Sequence, residues 1–421
     1  MLHSIPTEKL GPFGSAMTGA VQACVHCGFC LAACPTYREL GQEMDTPRGR
    51  IVLMKQVLEG ALPFEAAQAH IDRCLGCLAC EPACPSGVRY RDLINPFRTL
   101  ARAKLELPTS EKLRRQLLAT ILPFPRRFRF AAKIGILSKR FSPLVPRAIQ
   151  PMLSLLPDTL PPRQNWPAIT PASKPQRARV ALLAGCVQQV LDPDINLATI
   201  EVLRRNGVEV LMPPTQQCCG GLAWHTGDLT NAQRFARHNL AAFPTDVDAY
   251  LTNAAGCGST MHEYHLILRG TEHEARADAF SKRVMDVSAF LARLGLRPPS
   301  GAAAVQRIAY QDACHLAHAQ NVTHEPRKLL RSVPGVELVE LVEPHLCCGS
   351  AGTYNIDQPE IAASLGESKA RAVLATGAQM VVSGNIGCLT QIRLHLIKLG
   401  SKIPVRHIMQ VLRDAYAPSD G

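Results

Sequence analysis

The sequence lacks several features that would place it in familiar classes. Its 421 residues contain no stretch approaching the roughly 18 uninterrupted apolar residues of a membrane-spanning helix. The N-terminal residues, MLHSIPTEKLGPFGSA, show no basic flank followed by an apolar run, so no secretory signal is expected. No G-x-G-x-x-G follows a predicted strand and no G-x-x-x-x-G-K-[ST] occurs, so nothing indicates a dinucleotide or nucleoside triphosphate site. These absences favour a reducing cytoplasmic compartment and another kind of cofactor.

Cysteine, in contrast, is abundant, with 16 residues in the chain. A chain of this length buries a core without covalent staples, and a reducing compartment disfavours disulfides. Clustered cysteines in such a protein indicate metal or redox chemistry. Two copies of the run C-x-x-C-x-x-C-x-x-x-C-P occupy residues 24–35 and 74–85. This run is the signature of [4Fe–4S] clusters in bacterial ferredoxins.

The spacing also predicts how these eight cysteines divide. The first three thiolates of each run wrap one face of a cluster, and the fourth ligates the other cluster. Cluster 1 is therefore expected on Cys24, Cys27, Cys30 and Cys84, and cluster 2 on Cys74, Cys77, Cys80 and Cys34. Zinc is the main alternative, but it needs four ligands, usually as two separated pairs. It would leave the third cysteine of each run and both prolines unexplained.

Residues around the runs predict further local structure. Thr46 before Pro47 is typical of a helix N-cap with proline in the first turn. Apolar residues between the cysteines, such as Phe29 and Leu78, are expected to exclude water from the clusters. We therefore predict a ferredoxin-like domain with two [4Fe–4S] clusters over residues 1–97.

A basic connector and a proline-rich linker are predicted next, over residues 98–178. Between Arg98 and Arg147 there are 13 Lys or Arg and only two acidic residues, Glu106 and Glu111. Interleaved basic and apolar residues suit an interfacial helix on anionic lipid. They also suit an acidic partner subunit, or simply a solvated face. All three interpretations remain open from the sequence.

The remaining residues contain an internal repeat, predicted as modules 179–300 and 301–421. The first copy carries Cys186, the pair Cys218-Cys219 and Cys257, and the second carries Cys314, Cys347-Cys348 and Cys388. Matching cysteines are 128, 129, 129 and 131 residues apart, which indicates duplication. In each copy, short apolar runs alternate with helical segments, which predicts a parallel sheet. The cysteines then follow the carboxyl ends of strands, where open α/β sheets place ligands.

Each repeat thus supplies four thiols for a third and a fourth site. They suffice for a cubane-type cluster or for zinc; inert buried cysteines and a redox-active dithiol are the other interpretations. Nearby polar residues are weaker candidates as ligands, and structural roles are expected for them: His26, His225, His262, His315, His318, His345 and Asp312. The predicted fold class is α+β multidomain, with an N-terminal helical two-cluster domain followed by two tandem α/β Cys-Cys-Gly modules.

Whole-chain organisation resembles a known family. The repeats resemble the Cys-Cys-Gly domains of heterodisulfide reductase, lactate-utilisation and glycerol-3-phosphate dehydrogenase subunits. In heterodisulfide reductase a further cysteine completes each module, whereas Thr260 and Gln391 stand at those positions here. With two ferredoxin runs ahead of the repeats, the chain as a whole resembles the iron–sulfur subunit of bacterial glycolate oxidase. Distinctive segments are CPSGVRY at 84–90 and CCGSAGTY at 347–354.

This resemblance implies an oxidoreductase subunit without a catalytic residue of its own. Flavin-binding partner subunits would oxidise glycolate, or D-lactate, and this chain would pass the electrons to a quinone-type acceptor. Related lactate or glycerol-3-phosphate dehydrogenases and a thiol/disulfide reductase are the alternatives. The chain is expected in the cytoplasm, either free or peripheral on the inner membrane. A nucleic-acid partner is not expected, because no recognised nucleic-acid-binding fold appears.

Overall fold

The computed structural model describes residues 4–139, 150–299 and 306–416. The end of the basic segment, 140–147, and the predicted boundary between the two modules at 300/301 lie outside the described residues. Helices and strands are both abundant, and the strands form two sheets. No described helix is both long enough and apolar enough to cross a bilayer.

The N-terminal part, up to residue 139, is built from helices and loops. A 3₁₀ helix, Thr7–Phe13, leads into the first α-helix, and a second short 3₁₀ helix spans Glu43–Asp45. The α-helices are α1 (Gly14–Gln22), α2 (Pro35–Leu40), α3 (Pro47–Leu58), α4 (Phe64–Asp72), α5 (Arg91–Lys104), α6 (Thr109–Ile121) and α7 (Pro125–Ser138). The first cysteine run lies between α1 and α2, and the second lies between α4 and α5. A short helix, α8 (Gln150–Ser154), follows the undescribed residues.

The segment between the cysteine runs forms the predicted helix start. Thr46 Oγ1 accepts a hydrogen bond from the Gly49 N–H at 2.8 Å, and Pro47 occupies the first turn of α3. This confirms the predicted N-cap. Gly49 is required by close approach, because a Cβ there would lie 2.0 Å from the Glu43 carbonyl oxygen.

The first sheet has five strands in the order β1-β3-β2-β4-β5. Its strands are β1 (Ile169–Thr170), β2 (Ala178–Leu182), β3 (Val208–Leu211), β4 (Ala249–Thr252) and β5 (Val284–Asp286). All neighbouring pairs are parallel except β1–β3. The accompanying helices are α9 (Gln188–Leu191), α10 (Asp194–Arg205), α11 (Gly221–His225), α12 (Leu229–Ala242), α13 (Ala255–His262), α14 (Tyr264–Ile267), α15 (Glu274–Ser281) and α16 (Val287–Leu294). The edge strand β1 comes from the segment predicted as a proline-rich linker.

The second sheet repeats this plan with four parallel strands in the order β7-β6-β8-β9. Its strands are β6 (Gln306–Gln311), β7 (Val336–Glu340), β8 (Met380–Ser383) and β9 (Val405–His407). The helices are α17 (Cys314–Ala317), α18 (His324–Arg331), α19 (Tyr354–Asp357), α20 (Pro359–Ala375), α21 (Ile386–Lys398) and α22 (Ile408–Ala415). The predicted parallel sheets are therefore present in both repeats.

Strand order explains why the cysteines of each repeat converge. In the first sheet the chain leaves β2 for β3 on one side and then crosses to β4 on the other side. The carboxyl ends of β2 and β4 flank this switch point, where doubly wound sheets bind ligands. Cys186 follows β2 and Cys257 follows β4, while Cys218-Cys219 follows β3. The same positions recur in the second sheet.

Apolar packing joins the three parts. One buried cluster combines residues of both sheets, including Leu203 and Leu412 on the facing helices α10 and α22. Another combines the N-terminal helices with the first module, where the Phe13 and Trp224 ring centroids are 5.9 Å apart. A third combines the loop of the second cysteine run with the second module. The N-terminal helices therefore pack on both modules.

Candidate metal centres

Set 1 comprises Cys24, Cys27, Cys30 and Cys84, the residues predicted for cluster 1. All four line one small cavity of about 20 Å³. Burial, together with the neighbouring thiols Cys24 and Cys84, raises the pKa of Cys30 to about 11. The structure thus brings together the first three cysteines of one run and the fourth of the other. Cys27 lies at the exposed edge of the set.

Set 2 comprises Cys74, Cys77, Cys80 and Cys34, the residues predicted for cluster 2. Burial raises the pKa of Cys80, and the neighbouring Cys77, Cys74 and Cys34 thiols contribute to that increase. Burial would also raise the pKa of Cys74, but the cations of Arg50 and Arg98 outweigh it and lower that pKa. A thiolate is the form that ligates metal, so these two arginines favour the ligating state.

Arg50 connects the two runs and was not identified from the sequence. Its side chain is 1% exposed. It donates to the His70 carbonyl at 2.7 Å, to Cys34 Sγ at 3.8 Å and to Asp45 Oδ1 at 3.2 Å. Asp45 is itself buried and also accepts from Arg73 at 3.1 Å. This ion-pair network holds Cys34 beside the second run.

Set 3 comprises Cys186, Cys218, Cys219 and Cys257 of the first module. Cys186 Sγ lies 3.5 Å from Cys218 Sγ. Hydrogen bonds from Cys218 and Cys257 lower the pKa of Cys219 well below its ordinary value. Gly220 has a φ of 87°, a left-handed conformation that begins α11 and that glycine adopts without strain. The N–H groups of Gly220 and Gly221 then lie 3.4 Å from the sulfurs of Cys218 and Cys219.

Set 4 comprises Cys314, Cys347, Cys348 and Cys388 of the second module. Cys314 Sγ lies 3.8 Å from Cys347 Sγ. Hydrogen bonds from Cys347 and Cys388 lower the pKa of Cys348 well below its ordinary value, as in set 3. Asn385 donates to Cys388 Sγ at 3.5 Å. The two modules therefore repeat one arrangement, in which the second cysteine of the pair is the favoured thiolate.

All 16 cysteines of the chain fall into these four sets. Four soft thiol donors per set, with N–H groups and arginine cations beside the sulfurs, fit iron–sulfur ligation. Within the described residues, no group of three or more His, Cys, Asp or Glu side chains is placed as a site for a single metal ion.

Comparison with known proteins agrees with the motifs. The 4Fe-4S dicluster domain family matches residues 20–88, and the cysteine-rich domain family matches residues 180–262 and 308–393. The probable glycolate oxidase iron-sulfur subunit of Bacillus subtilis (strain 168) is 36% identical over 418 residues, 94% of each chain. The glycolate oxidase iron-sulfur subunit of Escherichia coli (strain K12) is 36% identical over 402 residues, again 94% of each chain. This chain belongs to the glycolate oxidase iron–sulfur subunit family. The predicted resemblance is confirmed.

A more distant relative shares most of the length. One subunit of the fumarate reductase (CoM/CoB) of Methanothermobacter marburgensis is 26% identical over 422 residues, 97% of this chain and 75% of that protein.

Two residues of this glycolate oxidase family chain, Thr260 and Gln391, replace the further cysteines expected from the resemblance to heterodisulfide reductase. Both make hydrogen bonds within their module. The buried Thr260 hydroxyl donates to the Gly256 carbonyl at 2.9 Å. The buried Gln391 amide donates to the Ala362 carbonyl at 2.8 Å and accepts from Asn355 at 2.6 Å. Both residues support the backbone around their module.

Most of the polar candidates near the modules also have structural partners. Asp312 forms a two-pronged ion pair with Arg327 at 2.7 and 2.8 Å. His262 Nδ1 lies 3.2 Å from the Ser281 carbonyl, and His318 Nε2 lies 3.0 Å from the His345 carbonyl. These contacts agree with the structural roles expected for them. His26 Nδ1 lies 3.9 Å from Cys24 Sγ, at the edge of set 1.

The four sets of this glycolate oxidase family chain are neighbours in space. Cys80 of set 2 also lines the cavity of set 1. Cys77 of set 2 interacts electrostatically with Cys314 of set 4, and both lie in one buried apolar cluster. The loops of sets 3 and 4 are joined by a hydrogen bond from the Ala255 N–H to the Gly384 carbonyl, 3.2 Å long. Cys74 of set 2, all four cysteines of set 3 and Cys314 of set 4 also line one larger cavity, so set 2 lies between set 1 and the two module sets in a contiguous series.

Water exclusion differs along this series. Leu75 and Leu78 beside set 2 are 6% and 3% exposed, as expected for residues that exclude water. Phe29 beside set 1 is 69% exposed, so the expectation that it shields the first run is wrong. Of the first run, Cys27 is exposed and Cys24 and Cys30 are half-buried, whereas Cys34 is buried.

Proposed function

We propose that this chain is the electron-transfer subunit of a glycolate dehydrogenase complex. Flavin-binding partner subunits oxidise glycolate to glyoxylate, and this chain conveys the electrons to a quinone-type acceptor. The observation that carries the proposal is the contiguous series of four thiol sets in a member of the glycolate oxidase family. A series that reaches from an exposed edge to the interior is what an electron-transfer subunit requires.

Sets 1 and 2 hold one [4Fe–4S] cluster each, and sets 3 and 4 each hold a further cluster. Such clusters, when bound, accept and release single electrons. The chain's own groups set the environment: Arg50 and Arg98 place positive charge beside Cys74, and Lys369 places a buried amine near set 4. The N–H groups of Gly220 and Gly221 orient the sulfurs of set 3. These are the levers by which a protein tunes a cluster potential.

The exposed edge of set 1 is the contact for a flavin-binding partner. Val25 and Phe29 there are 67% and 69% exposed, and Met44 nearby is 48% exposed. Apolar residues in the open beside an exposed cysteine ligand favour burial under another subunit. This placement brings the partner next to the first set of the series.

The connector helices contact the cytoplasmic surface of the inner membrane. Exposed apolar residues recur at helical spacing on α6 and α7, at Leu113, Leu117, Phe130, Ile134 and Leu137. Basic residues such as Lys112, Arg126 and Lys133 lie beside them. An apolar stripe flanked by cations is the pattern of a helix that lies in the interface of an anionic bilayer.

Replacing two residues of this stripe is expected to release the chain from membranes. Leu113→Glu combined with Phe130→Glu should weaken binding to phosphatidylglycerol-containing vesicles by about tenfold or more, because two apolar side chains that the bilayer would bury are lost. Vesicle co-sedimentation measures this effect. Val342→Glu with Ile397→Glu, two exposed apolar residues of the second module, is the matched control and should bind normally. Equal binding of both double variants would contradict membrane contact through α6 and α7.

Substrate-dependent reduction of the complex tests the function. When the chain is copurified with its flavin-binding partners, anaerobic glycolate is expected to bleach the visible absorbance of the iron–sulfur clusters. D-lactate and sn-glycerol 3-phosphate, added separately, distinguish the related dehydrogenases. Bleaching by one of these alone would reassign the substrate. No bleaching by any of them, with dithionite still effective, would contradict the proposed function.

A further inference from the structure

A large cavity lies where the connector helices cover both modules. Its volume is about 790 Å³, compared with about 20 Å³ for the space at set 1. This volume falls within the range of about 300–1,000 Å³ that is typical of small-molecule sites. The cavity therefore has room for an organic ligand of substantial size.

The walls of the cavity are mainly apolar. On one side they are formed by side chains from α6, α7, α8 and the turn after α8, among them Leu118, Ile121, Phe128, Leu153 and Leu156. At the inner end lie the four cysteines of set 3, Cys314 of set 4 and Cys74 of set 2. A ligand in this cavity would thus contact sets 2, 3 and 4, whereas no cysteine of the exposed set 1 lines it.

The outer part of the cavity is lined by the stripe proposed to contact the membrane. Leu117 and Ile134 line the cavity, and yet they are 51% and 55% exposed. A lipophilic ligand could therefore pass from the acyl chains of a bilayer into the cavity along apolar side chains. A charged, water-soluble electron acceptor would gain nothing from such a path.

His225 supplies one polar contact at the inner end. Asn95 donates through its Nδ2 to Glu263 Oε2 at 3.2 Å, which leaves Asn95 Oδ1 to accept from the His225 Nδ1–H at 3.2 Å. The neutral ring then carries a lone pair on Nε2. That atom is buried and has no hydrogen-bond partner within the described chain. Burial, with His315 and Arg98 nearby, lowers the pKa of His225, which keeps the ring neutral.

We propose that this cavity is the quinone site, in which the ring lies beside set 3, the isoprenoid tail leaves past Leu117 and Ile134, and His225 Nε2 accepts a hydrogen bond from the quinol hydroxyl. This inference rests on the proposed function and extends it by placing the acceptor. Glycolate oxidation to glyoxylate releases two electrons and two protons. One quinone takes up two electrons and two protons to become the quinol, so the reaction balances.

Filling the cavity tests its occupant. In the purified complex, an azido-substituted decylubiquinone is expected to label this chain within residues 113–156. Ala131→Trp, in the cavity wall, should abolish that labelling and slow reduction of decylubiquinone by about tenfold or more, because the indole ring would occupy space that the quinone needs. Ala375→Trp, at an exposed position on α20 that is outside both the cavity lining and the apolar stripe, should leave both unchanged. Ferricyanide reduction and iron content should stay normal in both variants.

Labelling of another subunit, or unchanged labelling and quinone reduction in Ala131→Trp, would overturn the quinone site. If the unmodified complex did not reduce ferricyanide with glycolate as substrate, the proposed function would be contradicted instead. The labelling result would still decide where the quinone binds. The two failures are thereby distinguishable.

His225→Phe tests the hydrogen bond. This variant should raise the inhibition constant of decylubiquinol by about tenfold, the effect of one hydrogen bond to a buried acceptor, and leave the KM for decylubiquinone within about threefold. A purely structural role for His225 would change both constants together or lower the iron content. Either of these results would show that His225 does not bind the quinol. Unchanged constants in the variant would also show this.

Discussion

Cys77→Ala is expected to remove about four of the irons bound per chain and to abolish glycolate-dependent quinone reduction, because each [4Fe–4S] cluster needs its cysteine thiolates. Cys77 belongs to set 2, which lies between the exposed set 1 and the sets of the modules. The Cys77 side chain is buried beside Cys314, so solvent does not provide another route for the electrons. Iron analysis and steady-state assays of the complex measure the two effects.

Ala83→Ser is the matched control for this loss. It makes a similarly small change in the same loop and leaves all cysteines in place. Normal iron content and activity are expected. If Cys77→Ala kept full quinone reductase activity, the electrons would bypass set 2 and the contiguous series would not be the route.

Arg50→Met is expected to lower the free energy of unfolding by about 3–5 kcal/mol, the usual cost of removing one partner from a buried ion pair. The guanidinium is 1% exposed and hydrogen-bonds to Cys34, Thr36, Asp45 and the His70 carbonyl. Loss of the guanidinium would leave the buried Asp45 carboxylate with less positive charge beside it. It would also remove positive charge beside Cys74, so the reduction potential of the cluster in set 2 should fall.

Arg48→Met provides the comparison two residues away. Arg48 pairs with Glu43 at 2.8 Å at the surface, where its side chain is 29% exposed. Exposed pairs of this kind contribute at most about 1 kcal/mol, so Arg48→Met should unfold nearly like the unmodified chain. Anaerobic thermal unfolding and a redox titration compare the two variants. Similar stability of both would show that the Arg50 network does not hold the two cysteine runs together.

Local pattern and spacing were sufficient to predict several parts of the fold. Thr46 before Pro47 predicted the start of α3, because a cap depends on neighbouring residues only. The alternation of short apolar runs with helical segments predicted the two parallel sheets, and the cysteine offsets predicted that the second repeats the first. Spacing also predicted that Cys84 lies with the first three cysteines of the first run, and all four line one cavity.

Features formed by distant segments could not be predicted. Arg50 lies in an ordinary helical pattern, and its contacts with Cys34, Asp45 and His70 appear only when three segments meet. The cavity needs walls from the connector helices and from both modules. The chain from Glu263 through Asn95 to His225 joins residues 168 and 130 positions apart. Phe29 shows the converse error, since an apolar residue in a cluster loop was expected to be covered.

Iron, acid-labile sulfide and zinc per chain, counted in one sample after anaerobic reconstitution, test the central claim that this chain carries a series of iron–sulfur clusters. Four cubane-type clusters predict about 16 irons with equal sulfide, and about eight would confine clusters to sets 1 and 2. Fewer than about four irons together with stoichiometric zinc would contradict the account, because zinc has no redox chemistry and cannot carry electrons.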